Sequence, residues 1–413
     1  MPIELFCLGF WEARHFFGRD FWSLRRLRRE SRMNLDHLSC LAMDRSEQVI
    51  DRKHKHGRSR CMGISTNFAA GVDIGYGGLK IVGGTPGSGA VRETVLPAGA
   101  GPLSSMPRRS DNSADLKGGE VVVLNGVEWA GGVDQLHIQN RSRMTHDDYP
   151  RTSEYEALYL ASLARLKERR IEALVTGLPV SQFYAASGAG LIEYMRKKML
   201  GKKLINADAI VEVGHVMVVP QPLGTFFGLA SEAEYASLAK EDSLRTLVVD
   251  PGFFSVDWVM MAGKSVLHEH SGTSKKATSM ILERAAAELT EELEREVSRD
   301  QLDAAMRRGL TSISVGFEKT ADFSNTLHRV AAGVVDGMVG ELKTSLRNAG
   351  PIDLLILTGG GSQLYREGVS QAYAGITVAT PSDVVLGNAR GYCAIAKMKA
   401  SRLAQGSGAS NAA

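Results

Sequence analysis

The chain has 413 residues, of which 44% are hydrophobic, 23% charged and 7% aromatic, and its formal net charge is +3. That length allows two domains or one bilobal unit with a substantial core, and the composition is that of a globular protein. No run reaches the roughly 18–20 apolar residues of a membrane span, so no direct membrane association is expected. The four cysteines, Cys7, Cys40, Cys61 and Cys393, contain no C-x-x-C pair, which argues against a disulfide framework or a zinc site and for reduced thiols in a cytoplasmic protein.

Residues 1–62 differ from the rest. They hold thirteen Lys and Arg against eight Asp and Glu, with Arg25, Arg26, Arg28, Arg29 and Arg32 in one cluster. Two readings stay open: a basic arm for nucleic acid or acidic lipid, or a non-native extension upstream of a start at Met62. Little order is expected in it, and direct nucleic-acid binding is left open. Leu5–Trp11 is apolar but lacks a small-residue cleavage site, so it does not read as a signal peptide.

From Phe68 on, strand and helix patterns alternate, which indicates an α/β class. Val72–Ile74 and Leu79–Val82 read as strands around a glycine-rich turn, Gly75 to Gly78. Ser104 to Gly119 is polar and reads as a mobile loop. Ser153-x-x-Glu156 reads as a capping box opening a helix whose stripe, Tyr155, Leu158, Tyr159, Leu163 and Leu166, faces a core. Short strands follow at Ala173–Val175, Val216–Val219 and Thr246–Val249, then a helical stretch from Thr278 to about Arg308. A strand at Leu354–Leu357 and a last helix from near Asn388 complete the pattern, with Ala404–Ala413 as a flexible tail. His137, His146, His215, His268 and His270 share no ligand spacing with acids and read as surface or core residues.

An internal echo carries the functional reading. Val72-Asp73-Ile74-Gly75-Tyr76-Gly77-Gly78-Leu79-Lys80-Ile81-Val82 aligns without gaps on Val249-Asp250-Pro251-Gly252-Phe253-Phe254-Ser255-Val256-Asp257-Trp258-Val259, 177 residues later. Both read Val-Asp-x-Gly-aromatic-x-x-aliphatic-charged-x-Val. A glycine hairpin exposes backbone N–H groups with no Cβ to hold an anion away, so it can cradle phosphate oxygens. An aspartate at the end of its first strand is held where it can bind Mg²⁺ directly or through water. Asp-x-Gly alone is a common turn; two copies in register suggest two hairpins clamping one polyphosphate and its metal between two lobes. About 100 residues after the second copy, Leu354-Leu355-Ile356-Leu357-Thr358-Gly359-Gly360-Gly361-Ser362 is an apolar strand ending in three glycines, which lets a flat ring or ribose approach backbone.

This order of elements resembles the actin/Hsp70/hexokinase superfamily. Pro220-Gln221-Pro222-Leu223-Gly224, Asp250-Pro251-Gly252-Phe253-Phe254 and Asn388-Ala389-Arg390-Gly391-Tyr392 resemble the ParM/StbA-like plasmid-segregation actins, including those of PRTRC plasmid gene clusters. The resemblance covers about residues 68–400. It implies an actin-like ATPase fold of two RNase H-like lobes around a nucleotide cleft, the first spanning 63–243 and completed by 385–403, the second spanning 244–384. It also implies ATP and Mg²⁺ as ligands, with Asp73, Asp250 and Asp257 around the metal and Lys80 reaching the β- and γ-phosphates. By the same resemblance Gln221 orients the hydrolytic water, Asp250 holds the metal or polarises that water, and Gly359 and Gly360, with Gly361 after them, meet the adenosine. The implied function is ATP-driven filament assembly for plasmid segregation, with other copies of the chain and a DNA-bound adaptor as partners.

Two departures bear on rate. Pro251 follows the second aspartate where many relatives carry an aliphatic residue, and its missing N–H removes a donor from that cradle. Ser255 stands where threonine is common. The alternative function is a small-molecule kinase of the same fold, acting on a sugar or carboxylate, for which Asp147 and Asp148 are the candidate bases. An Hsp70-like chaperone is disfavoured because Ala404–Ala413 leaves no room for a peptide-binding domain.

Overall fold

A computed structural model describes residues 67–139, 145–241 and 243–410; the basic segment 1–62 lies outside them. Five strands form the first main sheet: β1 (Ala69–Ile74), β2 (Gly78–Gly84), β3 (Arg92–Pro97), β4 (Ala173–Leu178) and β5 (Val216–Pro220). Their order is β5-β4-β1-β2-β3, with β2 antiparallel to its neighbours and β1, β4 and β5 parallel. The second sheet has β6 (Arg245–Pro251), β7 (Val256–Ala262), β8 (Ser265–Val266), β9 (Gly272–Ser274), β10 (Leu354–Leu357) and β11 (Thr377–Ala379). Its order is β8-β7-β6-β10-β11, and β9 also pairs with β7. Here too the leading hairpin is antiparallel and β6, β10 and β11 run parallel. The two sheets therefore repeat one topology, giving an α/β molecule of two RNase H-like lobes.

The repeat seen in the sequence is the same repeat. Asp73 pairs with Lys80 across β1–β2, and Asp250 pairs with Asp257 at the equivalent position of β6–β7. Both sheets are covered on two faces, so their strands read as apolar runs. In the second, Leu247, Val249, Trp258 and Met260 enter one core, whereas Val248, Val259 and Met261 enter another. That alternation is the period of two along a strand.

The first lobe's core lies under α1 (Ser153–Leu166), whose Leu158, Leu163 and Leu166 pack with Val72, Leu79 and Leu174. After β4 come α2 (Val180–Tyr184) and α3 (Gly188–Met199), and after β5 comes α4 (Gln221–Ala230). In the second lobe α5 (Thr278–Leu293), α6 (Arg299–Arg307), α7 (Ser324–Ser345) and α8 (Ser362–Ala372) share a core with the outer face of that sheet. The last helix, α9 (Gly387–Ser410), returns to the first sheet, and with α4 it fills a core shared by both sheets through Phe226, Leu229, Tyr392 and Ile395. Among the described residues no helix is long and apolar enough to cross a membrane.

Glycines let α9 seat this deeply. A Cβ at Gly391 would stand 1.6 Å from the Gly224 carbonyl oxygen, and one at Gly71 would stand 2.2 Å from that of Ala389. These are backbone atoms, which cannot rotate away. Gly391→Ala is therefore expected to destabilise the chain by about 3 kcal/mol or more, beyond the usual overpacking cost. Thermal melting checks this; an unchanged midpoint would contradict the α4–α9 seat.

Three expectations need correction, and a fourth, the loop, is refined. The cap of α1 is Thr152, not Ser153: its hydroxyl accepts from Tyr155 N–H at 3.2 Å, and Ser153 is the first helical residue. The stretch from Thr278 to Arg308 is two helices, because Glu294 turns left-handed (φ 47°) and Ser298 with Gln301 forms a capping box that starts α6. Ser104–Gly119 is irregular, as a loop reading expects, with 108–113 exposed and Met106 2% exposed as its one buried hydrophobic anchor. Finally, α9 runs on to Ser410, past the Ala404 where a flexible tail was expected.

Candidate active site

Where the two hairpins face each other they line a cavity of about 580 Å³. The residues expected from the sequence to hold nucleotide and metal lie on its wall: Asp73, Gly75, Tyr76, Gly77, Gly78 and Lys80 from the first hairpin, Asp250, Gly252, Phe253, Phe254, Ser255 and Asp257 from the second, Gln221 from α4, and Gly359, Gly360 and Gly361 from the turn after β10.

Each hairpin closes with the same bond. Gly75 N–H donates to the Gly78 carbonyl at 3.1 Å, and Gly252 N–H donates to the Ser255 carbonyl at 2.8 Å. Pro251 therefore deprives neither turn of its closing bond. Its carbonyl instead accepts from Gly361 N–H at 2.9 Å and ties the glycine turn to the hairpin. The tips touch: the Cβ of Phe253 lies 3.2 Å from where a Cβ on Gly77 would stand, and the Tyr76 and Phe254 rings are 4.7 Å apart. Tyr76 also stacks on Tyr149 at 4.0 Å, and Lys275 sits 3.8 Å over the Phe254 ring. The aromatic positions of the repeat thus join the two lobes at one edge of the cavity.

Deeper in, Lys80 Nζ pairs with Asp73 Oδ2 at 2.9 Å. Asp250 is 7% exposed and Asp73 4%. Burial, followed by the neighbouring Asp73 charge, pushes the Asp250 carboxyl up to about 7, against a bond from Asn388 that favours its ionised form. Two buried carboxylates acting on each other in one cavity is the arrangement the echo predicted.

Asp257 is already committed. Its Oδ1 accepts from Val180 N–H at 2.7 Å and from the Thr273 hydroxyl at 2.6 Å, and its Oδ2 accepts from Ser255 at 2.6 Å. Burial pushes its carboxyl up. Three of about four acceptor positions are thus taken. Ser181 N–H donates to Thr273 at 2.9 Å, so two residues of the second lobe cap the first turn of α2 in the first. Thr273→Val removes both the bond to Asp257 and the acceptor for Ser181. It is expected to cost about 1–3 kcal/mol in denaturant unfolding of the nucleotide-free chain; no loss would mean that this cap does not hold the lobes.

The three glycines do different things. Gly359 has φ 85°, and a Cβ there would stand 2.1 Å from Asp250 Oδ1, so it makes room for the acid. Gly361 packs against Thr278 and Pro251, whereas nothing lies within 4 Å of a Cβ built on Gly360. Gly360 is the one of the three that faces open space. Gln221 opens α4, and its carbonyl accepts from the Tyr392 hydroxyl at 3.1 Å.

Sequence reasoning missed other parts of the wall. Asn388 donates to Asp250 Oδ2 at 2.6 Å, although the sequence offered it only as part of a family resemblance. Thr278, Asp303 and Arg307 line the second lobe's side, and Arg307 reaches Asp134 of the first lobe at 3.6 Å. Only the spacing of Asp303 and Arg307 on one helical face could have signalled them. Neither Asp147 nor Asp148 lines the cavity; Asp147 is 67% exposed in its side chain and pairs with Lys275.

The wall suits a metal-bound nucleotide. Its volume falls in the range of small-molecule sites. Thr278, on that wall, has an Oγ1 that is buried without a hydrogen-bond partner among the described residues, beside Gly361. No cluster of three or more His, Cys, Asp or Glu able to hold a metal occurs among the described residues.

The fold is that of actin-like proteins. Residues 71–224 match the family described as the N-terminal domain of actin-like proteins. The archaeal actin homologue Ta0583, solved in complex with ADP, superposes with a TM-score of 0.62 at 16% identity, covering 80% of this chain and 99% of that one. A 15-stranded ParM filament from Clostridium botulinum gives 0.62 at 17% identity, with 80% and 99% coverage. The actin-like protein Alp7A gives 0.61 at 15%, with 84% and 99% coverage. No curated protein matches the sequence. The resemblance read from the two hairpins and the glycine turn is borne out at the level of the actin-like fold.

Proposed function

We propose that this chain is a ParM/StbA-like ATPase that binds Mg²⁺–ATP between its two hairpins, hydrolyses it slowly, and assembles head to tail into filaments that move plasmid DNA through a DNA-bound adaptor. The observation that carries this is the matched register of Asp73 and Asp250, each buried at the end of a leading strand and both on the wall of one cavity. The ADP complex of Ta0583 and the ParM filament support nucleotide and polymer respectively, each as a property of that relative.

Mg²⁺, held by Asp73 and Asp250 and supported through water by Asp257, would supply charge neutralisation at the phosphates. Lys80 is the cation nearest that acid pair, and its ammonium is drawn to phosphate oxygens once they enter. The Gln221 carboxamide cannot take a proton at neutral pH, so it can only orient the attacking water. Asp250, held ionised once the cation is bound, would polarise that water. Without a strong base the turnover is slow, as suits a timer for polymer disassembly. Heterologous contacts that do not close produce an open filament.

Light scattering and electron microscopy of the purified chain with Mg²⁺–ATP test the reading. ATP-dependent polymer that decays as phosphate is released is expected. Absence of polymer over a wide concentration range, with ATP-dependent phosphorylation of a sugar or carboxylate in a coupled assay, would establish the kinase instead.

A further inference from the structure

Asn388 is the second residue of α9 and is 6% exposed. Both ends of its carboxamide are engaged. Oδ1 accepts from the Thr225 hydroxyl at 2.7 Å and from the Thr225 backbone N–H at 3.2 Å, while Nδ2 donates to Asp250 Oδ2 at 2.6 Å. A backbone N–H can only donate, so the atom facing Thr225 is the oxygen and the one facing Asp250 is the nitrogen. Thr225 lies one helical turn after Gln221 on α4. Its hydroxyl is also 3.1 Å from that of Thr358, at the end of β10. Gly387 leaves space for this pair: a Cβ there would stand 2.7 Å from Thr358 Oγ1 and 2.8 Å from Thr225 Oγ1. On the far side of Asp250, Oδ1 abuts Gly359. The acid is thus held between a donor on one oxygen and a glycine on the other. Every polar member of this node is buried, where hydrogen bonds are strong and lost partners costly.

We propose that Asn388 is a positioning residue: it fixes the orientation of the Asp250 carboxylate and couples it, across the lobe boundary, to Thr225 on the helix that begins at Gln221. The catalytic consequence rests on the hydrolase reading above; the coupling does not. Thr225 and Asp250 reach each other through Asn388, so a change at one is felt at the other only while that carboxamide is present.

A thermal cycle on the nucleotide-free full chain tests the coupling. Thr225→Val removes the hydroxyl and keeps the backbone N–H, and Asp250→Asn keeps an acceptor. Their melting shifts are expected to be non-additive by about 2 °C or more in the parent chain, and additive once Asn388 is replaced by alanine. Should Asn388→Ala not fold, the near-isosteric Asn388→Leu takes its place, since it removes both the donation to Asp250 and the acceptor for Thr225 without adding a charge. Additivity in the parent, or equal coupling without Asn388, overturns the proposal. In a second arm, the charge-neutral Asn388→Leu is expected to lower kcat for Mg²⁺–ATP at least tenfold with KM changed less than threefold; a folded Asn388→Leu with parental kcat overturns the positioning role. A parent chain without turnover defeats the hydrolase reading instead, and the thermal cycle still decides the coupling.

Discussion

Asp250→Asn is expected to slow phosphate release from Mg²⁺–ATP at least a hundredfold. The change removes one negative charge from a carboxylate that is buried, faces Asp73, and lies on the wall of the cavity between the hairpins. Charges aimed at a reacting centre in a water-poor site each contribute on the order of 10²–10³ in rate. Folding is not the cause of the loss, because the amide oxygen still accepts from Asn388 and the volume is nearly conserved. The measurement is single-turnover phosphate release at saturating nucleotide. A rate within threefold of the parent would take Asp250 out of the chemistry.

The second large effect concerns pH and the nucleotide-free chain. Asp250 has an ordinary carboxyl value of 3.8 and a folded value of about 7. An acid whose folded value is raised binds its proton more tightly when folded. The stability it contributes is therefore complete below the unfolded value and is lost as pH rises through the folded one. Each pH unit between the two values corresponds to about 1.4 kcal/mol, and between pH 5.5 and 8 the loss comes to about 2 kcal/mol. The parent chain should thus melt several degrees lower at pH 8 than at pH 5.5 relative to Asp250→Asn, in which this dependence is absent. Mg²⁺–nucleotide should restore the parent at pH 8, because a bound cation favours the ionised carboxylate. Parallel melting curves for the two proteins across this range would contradict a buried, proton-holding Asp250.

The hairpins were legible because their requirements are local. An aspartate closing an apolar strand, a glycine in the turn and an aliphatic residue resuming the ladder leave a pattern in eleven residues, and two copies at 177-residue spacing announce duplicated lobes. Leu354–Leu357 was legible for the same reason, as an apolar run ending in glycine. What escaped depends on neighbours far along the chain. The bonds from Asn388 to Asp250 and Thr225 span 138 and 163 residues, and nothing in the sequence around Asn388 shows them. Asp257 matched the register of the repeat, yet its donors come from Val180 and Thr273, so its capping of α2 could not be read locally. Helix α7 was obscured by Gly333, Gly337 and Gly340, which break the apolar pattern although the tertiary core holds the helix together. The break between α5 and α6 had a signal, Ser298-x-x-Gln301, hidden inside a longer helical periodicity.

The aromatic residues of the repeat show how one motif serves two purposes. Tyr76 and Phe254 were placed at the cradle by their position in the turn, and they do line the cavity. They also meet each other at the lobe boundary, with Tyr149 and Lys275 stacked around them. Together with the Asp257–α2 cap, the Asn388 node and the Arg307–Asp134 pair, this gives the two lobes four separate polar or aromatic links around one cleft. Each link includes at least one residue that lines the cavity: Tyr76 and Phe254, Asp257, Asn388, and Arg307.

A structure of the chain with Mg²⁺ and a non-hydrolysable ATP analogue addresses the paired hairpins most directly. The metal-bound phosphates should lie between Gly75–Gly78 and Gly252–Ser255, with Asp73 and Asp250 approaching the same metal ion from opposite lobes. Nucleotide bound elsewhere, or phosphates contacting one hairpin while the other faces away, would contradict it.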